Sequence, residues 1–339
     1  MRYKTVAIGL IAIFTVLFMI NYAYDQNTDI TVEQVSYSQT RSLMDTTVTI
    51  SVIDSNETHA SEVIERAFDR MYYVDRIMNN YDNKSELSIL NEEGSVRDVD
   101  YELVYVINRS RYYSEVSGGA FDISIQPVLD LWASKYSPGG TYEEPTPEEI
   151  NETLILVNYS AVMLEGNNIT LGNDMKITLG GVAKGYAVDL AIESMIDDGI
   201  DSGFVNAGGD GRYIGTKPDG TQWRVGLQNP EKSEDAVTII NVENMAVATS
   251  GNYERYFNDT ARVSHIADPR TGYPSQNLIS STIIATSAMD ADAFATAVFI
   301  LGEKDGMDMI EDVDGVECLL ITTDKRIIRS SGFSGYEMN

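Results

Sequence analysis

Cysteine is nearly absent: Cys318 is the only one in 339 residues, so no disulfide can form within the chain and its stability must come from its core. Histidine is almost as scarce, with His59 and His265 alone, which argues against a zinc site built from the usual histidine and cysteine donors. Any metal must then be held by oxygen. Positive charge is short as well. Against 52 Asp and Glu stand 24 Lys and Arg, a formal charge of −28 that repels nucleic acid and anionic lipid and excludes both as partners of the body of the protein. Such an excess fits a salty habitat or serves solubility. Internal repeats and low-complexity blocks are also missing.

One long apolar run is present, from Thr5 to Ile20. Arg2 and Lys4 precede it, and Asn21, Asp25 and Asp29 follow. That asymmetry puts the N-terminus in the cytoplasm and the rest of the chain outside. The run is just under the ~20 residues that span a bilayer comfortably, and Ala23 is the only small residue near its end. The reading is an uncleaved signal-anchor over residues 1–22, with a cleaved signal peptide and a secreted protein as runner-up. A polar linker over 23–36 and one domain over 37–335 follow. No cysteine ends the run, which excludes a lipid anchor. Sequons at Asn56, Asn83, Asn108, Asn151, Asn158, Asn168 and Asn258 fit an exported chain in a glycosylating organism.

Along the exported part, Thr46–Ile53 alternates like a strand. His59–Met78 places Val63, Ile64, Ala67, Phe68, Met71, Val74, Ile77 and Met78 at helical spacing, with His59 in the exposed first turn. A second helix runs from Tyr101 to Val116 and stops at Gly118-Gly119. Pro138–Pro147 reads as a surface loop. Strands are expected at Ala161–Leu164, Ile169–Leu171 and Met175–Leu179, and a helix at Ala183–Ile196. The last hundred residues alternate strands at Val237–Val242, Ser281–Thr286, Val316–Thr322 and Arg326–Arg329 with helices at Asp290–Leu301 and Lys304–Ile310. Cys318 falls in a buried strand. The fold class is mixed α+β with mostly antiparallel sheets and packed helices.

Four segments could carry chemistry. Asp292 and Thr296, spaced i and i+4, share a helix face and can hold a hard cation between them; two oxygens cannot complete a Mg²⁺ octahedron, so substrate phosphates and water would supply the rest. An Asp favoured by the helix dipole beside a space-filling Thr explains the same pair. Leu179-Gly-Gly-Val-Ala-Lys184-Gly185 follows a strand and opens a helix. Its glycines admit a phosphate or metal to the backbone and Lys184 can neutralise phosphate charge, although a tight turn needs glycines too. It is neither a Walker A loop nor a Gly-x-Gly-x-x-Gly turn. Asn206-Ala-Gly-Gly-Asp210-Gly211 reads as a hairpin turn. In Ser264-His265-Ile-Ala-Asp268-Pro-Arg270-Thr-Gly-Tyr-Pro274, an imidazole that can accept a hydroxyl proton sits beside an aspartate and an arginine, which alternatively brace the turn.

These segments, with Met44-Asp-Thr-Thr, Tyr81, Ser85-Glu-Leu-Ser-Ile-Leu-Asn91 and Gly118-Gly-Ala-Phe-Asp-Ile123, resemble in this order the ApbE family of flavin transferases, over roughly Tyr37 to Gly332. The resemblance implies an α+β fold with an FAD cleft between lobes and Mg²⁺ on the diphosphate. It implies transfer of FMN from FAD to a threonine or serine hydroxyl of a partner protein, with AMP released. Mg²⁺ ligands by position are Asp292, Thr296 and the carbonyl of Gly181. Flavin or adenine contacts are Met44, Tyr81, Ala120, Phe121, Asp122, Thr178, Lys184, His265 and Ile266. The catalytic set is His265, Asp292 and Lys184, with His265 orienting or deprotonating the incoming hydroxyl. Family members usually carry an acidic residue two before the double glycine, where this chain has Thr178. The implied partners are FAD, flavinylated acceptors such as subunits of membrane redox complexes, and the membrane through the N-terminal helix. Two other readings use the same site: an FAD pyrophosphatase with water as nucleophile, and a non-catalytic tethered FAD-binding protein.

Overall fold

The computed structural model describes residues 33–136, 139–229, 236–252, 256–258, 263–264 and 266–338. The apolar stretch Thr5–Ile20 and His265 lie outside these residues, so the structure carries no account of the expected anchor. Among the described residues, no helix is long and apolar enough to cross a membrane. Ser36–Asn339 forms one compact unit.

The chain opens with β1 (Val35–Leu43) and β2 (Thr46–Asp54), followed by α1 (Glu57–Met78), α2 (Glu86–Glu93), β3 (Ser95–Val96) and α3 (Tyr101–Val116). Next come α4 (Gln126–Tyr136), α5 (Pro147–Leu154), the short strands β4 (Met163–Glu165) and β5 (Asn168–Thr170), and α6 (Ala183–Asp197). The remaining strands are β6 (Gly203–Ala207), β7 (Asp210–Ile214), β8 (Trp223–Leu227), β9 (Thr238–Val242), β10 (Met245–Gly251), β11 (Tyr256–Asn258), β12 (Val263–Ser264) and β13 (Leu278–Ala285). Helix α7 (Ala288–Glu311) then leads to β14 (Glu317–Thr322) and β15 (Ile327–Arg329).

Among the described residues the main sheet has eight strands in the order β1-β2-β6-β7-β10-β13-β14-β15. From β2 to β15 each pairing is antiparallel. The α+β expectation holds, with helices packed on the sheet. Helix α6 packs on α1 and α7, and α7 lies along β10 and β13. Helix α1 buries the predicted stripe, Val63 to Met78, and is held at its start by Asn56, whose side chain accepts from the N–H groups of Thr58 and His59. The first half of α7, Ala288–Ile300, is apolar on nearly every face because it is covered there, whereas Glu303, Lys304, Asp305 and Asp308 of the second half are exposed; Phe294, Val298 and Phe299 are buried, each contributing on the order of 1.5–3 kcal/mol. Its helical backbone breaks at Gly302, φ 83°, which separates the two helices expected there.

Several expectations are corrected. Met175–Leu179 is not a strand. The N–H of Ile177 bonds to Asn91 Oδ1 (2.7 Å) and Asn91 Nδ2 bonds back to the Ile177 carbonyl (2.8 Å), so a side chain takes the place of a ladder. Strand β1 begins at Val35, inside the stretch read as linker. Pro147 is not loop; it opens α5 behind a capping box of Thr146 and Glu149. Helices α2 and α4 and strand β10 were not anticipated. His59 is not simply solvated, since its ring pairs with Asp54.

Candidate active site

The cleft encloses about 420 Å³ and takes its walls from the β1–β2 turn, the end of α1, the segment before α4, the turn into α6, the end of β10 and α7. Met44 and Asp45, both with positive φ (53° and 55°), make the tight turn that turns this hairpin into a wall. A volume of this order is typical of small-molecule sites.

Asp189, in the middle of α6, sets the position of α7. Its carboxylate accepts the N–H groups of Ala288 (2.9 Å) and Met289 (2.8 Å), satisfying the first free donors of α7, and pairs with Arg212 Nη1 at 2.8 Å. One turn further along α7, Asp292 Oδ2 accepts the N–H of Gly185 at 2.9 Å. Only glycine fits at 185, because a Cβ there would lie 2.2 Å from the carbonyl oxygen of Ala288 and 2.9 Å from Asp292 Cβ. The glycine-rich turn and the acidic residue, distant in sequence, are thereby pressed together. Burial first, then the neighbouring carboxylate of Asp210, push Asp292 up to about 7, while Lys184 and the Gly185 N–H pull it back.

Thr296 follows on the same face of α7. Its hydroxyl lies 3.3 Å from Ser250 Oγ, and a Cβ added to Gly181 would sit 3.1 Å from Thr296 Oγ1. Gly181, Asp292 and Thr296 therefore line the same cleft, with Gly181 against Thr296. A carboxylate, a hydroxyl and a neighbouring backbone offer oxygen donors suited to a hard cation. Lys184 Nζ pairs at 2.6 Å with Asp210 Oδ2, whose Oδ1 accepts the Thr249 N–H at 3.2 Å.

Of the expected flavin contacts, Met44, Tyr81, Ala120, Phe121, Asp122, Thr178, Lys184 and Ile266 all line the cleft. Tyr81 stands at its rim, 89 % exposed, so its ring is free to cover a bound aromatic group and is not a core aromatic. Phe121 is buried against Gly181, with Tyr113 edge-on at 5.7 Å. The Asp122 carboxylate caps its own turn, accepting from Ser124 N–H (2.7 Å), Ser124 Oγ (2.6 Å) and Tyr159 N–H (3.1 Å). Burial raises its pKa despite those bonds. Thr178 Oγ1 accepts the N–H of Gly180 at 3.2 Å, bracing the glycine turn. Asp268 and Arg270 form the salt bridge read as a brace (2.8 Å). His265 lies outside the described residues.

Sequence reading missed Asp189, Thr249 and Ser250, and treated Asp210 as part of a hairpin turn. That turn exists, with Gly208 and Gly209 at φ 62° and 105°. The small polar triplet Thr249-Ser250-Gly251 at a strand end was the available signal for the other wall.

The ApbE family model matches residues 44–320. An FAD:protein FMN transferase of Vibrio cholerae is 32% identical over 291 residues, covering 83% of this chain and 86% of that protein. The FAD:protein FMN transferase of Treponema pallidum is 29% identical over 298 residues, 81% of each chain. Among solved structures, the ApbE protein of Thermotoga maritima superposes with a TM-score of 0.82 at 34% identity, covering 90% of this chain and 100% of that one. The Pseudomonas stutzeri flavinyl transferase ApbE, apo form, gives 0.78 at 25% identity, covering 90% and 99%.

Proposed function

The chain belongs to the ApbE family, and from that premise we propose that it moves the FMN half of FAD onto a threonine or serine hydroxyl of an acceptor protein. The acceptor oxygen forms a bond to the FMN-side phosphorus, the P–O bond to the bridging oxygen breaks, and AMP leaves with that electron pair. The hydroxyl proton passes to a base, for which His265 is the proposed group.

The observation that best supports this reading is the convergence of Asp292, Thr296 and Gly181 beside the Lys184–Asp210 pair in a cleft fed by the glycine turn. The donors fit Mg²⁺: all are oxygen, and the buried Asp292 carboxylate is one whose charge burial disfavours, so a cation beside it would be favoured. Asp292, Thr296 and the Gly181 carbonyl would hold the ion, which when bound neutralises charge on the diphosphate. Lys184 adds positive charge at the same wall, and the rim residues Met44 and Tyr81 with Phe121 and Ile266 receive the rings. The nucleophile arrives on another protein, so the chain needs no nucleophilic side chain of its own.

The proposal extends to location. The charge asymmetry about Thr5–Ile20 supports an N-terminal anchor with the catalytic domain outside the cytoplasm, and acceptors among exported or membrane-bound redox subunits.

The test is to incubate the purified chain with FAD, MgCl₂ and a threonine-bearing subunit of a membrane redox complex. In-gel flavin fluorescence on the acceptor, with AMP released in equal amount, is the expected result. Free FMN plus AMP without labelling would make the chain a pyrophosphatase. FAD left unchanged would remove catalysis altogether.

A further inference from the structure

We propose that Ser250 is a positioning residue for the cation site: its Oγ accepts a hydrogen bond from the Thr296 hydroxyl, so that the oxygen of Thr296 presents lone pairs to the ion. The inference rests on the reading of Asp292, Thr296 and Gly181 as the ligand set.

A hydroxyl carries one proton and two lone pairs. It serves a cation only when the proton is directed elsewhere. Within a helix, a threonine usually donates to the carbonyl four residues back, here Asp292. Thr296 does something else: among the described residues, the one hydrogen bond of its side chain is to Ser250 Oγ, across the interface between helix and sheet, at 3.3 Å. Ser250 likewise has no other side-chain bond among the described residues. Two hydroxyls at the wall of a cleft thus share one contact, with the Gly181 backbone against the same Thr296 oxygen.

The sheet fixes where Ser250 can stand. It pairs in register with Ser281 of β13, and Ser281 Oγ donates to the carbonyl of Ala295 at 2.6 Å, one residue before Thr296. Its neighbour Thr249 is held on both sides, by the Asp210 carboxylate on its N–H (3.2 Å) and by Thr282 on its hydroxyl (2.9 Å). Helix and strand are therefore pinned together at this level, and the Ser250 side chain meets Thr296 from a rigid support. Partners of this outer kind orient ligands and typically alter metal affinity by about 10–100-fold when removed.

Mn²⁺, which favours the same oxygen donors, gives a direct readout. Binding to the full-length chain with FAD present is followed by the loss of the free-ion paramagnetic resonance signal. Ser250→Ala should weaken Mn²⁺ binding about 10-fold and raise by a similar factor the Mg²⁺ concentration giving half-maximal turnover, with turnover at saturating Mg²⁺ largely kept. FAD affinity measured in EDTA should not change. Ser250→Thr, which restores the hydroxyl, should restore Mn²⁺ affinity. Wild-type affinity in Ser250→Ala overturns the proposal, and so does an equal loss of FAD affinity in EDTA, which would make Ser250 a flavin contact. A wild-type chain that turns over FAD yet binds no Mn²⁺ refutes the cation site and the role of Ser250 together; one that binds Mn²⁺ but leaves FAD intact refutes the proposed reaction alone.

Discussion

Lys184 Nζ lies 2.6 Å from Asp210 Oδ2, and the Asp210 side chain is 3% exposed. An ammonium at the cleft wall thus compensates a carboxylate that burial alone would make costly. Lys184→Met should strip that compensation and destabilise the fold by roughly 3 kcal/mol, the lower end for a broken buried pair, since Lys184 itself is partly exposed. Lys184→Met combined with Asp210→Asn should recover the denaturant midpoint and leave turnover low. Recovery of both would limit the lysine to a structural role.

Asp292 separates function from stability in the opposite sense. Its charge is disfavoured where it stands, so Asp292→Asn should keep or raise the melting temperature while turnover falls by roughly 10²-fold or more. Activity near wild type in this variant would refute the ligand assignment.

Gly185→Ala asks whether helix spacing matters. The added methyl meets the carbonyl of Ala288 at 2.2 Å, and backbone cannot swing aside as a side chain can. A loss of about 1–3 kcal/mol is expected, measured by urea unfolding, together with weakened Mn²⁺ binding because Asp292 moves with its helix. Unchanged metal binding would mean that the shift is absorbed elsewhere.

At the far end of the chain, Arg329 Nε and Nη2 donate to the Glu337 carboxylate at 2.8 and 2.9 Å, holding Glu337 below its usual value of 4.5. A depressed folded-state pKa means stabilisation that is present above the unfolded value and lost as pH falls through the folded one. Arg329→Gln should therefore lower stability by at most about 1 kcal/mol at pH 7. The gap from wild type should close in thermal melts as pH falls below 4.5 and through the lowered folded-state value. A gap independent of pH would assign the loss to packing.

His265→Ala should slow FMN transfer much more than it weakens FAD binding if the imidazole handles the hydroxyl proton. Equal losses in single-turnover rate and in FAD affinity would make it a binding residue only.

What the sequence revealed follows the range of each signal. Helices α1 and α7 were legible because a long apolar stripe repeats many times. Helix α2 is short, and its Ser85 cap and Gly94 stop (φ 71°) were present but unread inside a motif noticed for other reasons. Proline and glutamate density hid α5, although Thr146-Pro-Glu-Glu149 is a helix start. Strand β10, Met-Ala-Val-Ala-Thr-Ser-Gly, carries too few β-branched residues to announce itself. Met175, Ile177 and Leu179 alternate like a strand and are buried like one, yet the Ile177 N–H bonds to the Asn91 side chain and the Thr178 N–H to the Ile123 carbonyl, partners that no local pattern encodes. The site divides the same way. Asp292 and Thr296 share one helix and could be paired by spacing, whereas Ser250 and Asp210 reach them only through the sheet order and Asp189 only through the packing of α6 on α7.

The absent side chain at Gly185 has a reach beyond its own contact. Since two core helices touch there, backbone to backbone, the reactive centre has the stiffness of the interior and cannot be widened or narrowed by lengthening a loop. Diversification of what this scaffold accepts is thereby channelled outward, to the lip where Tyr81 faces water and where a substitution leaves the phosphate-handling geometry alone.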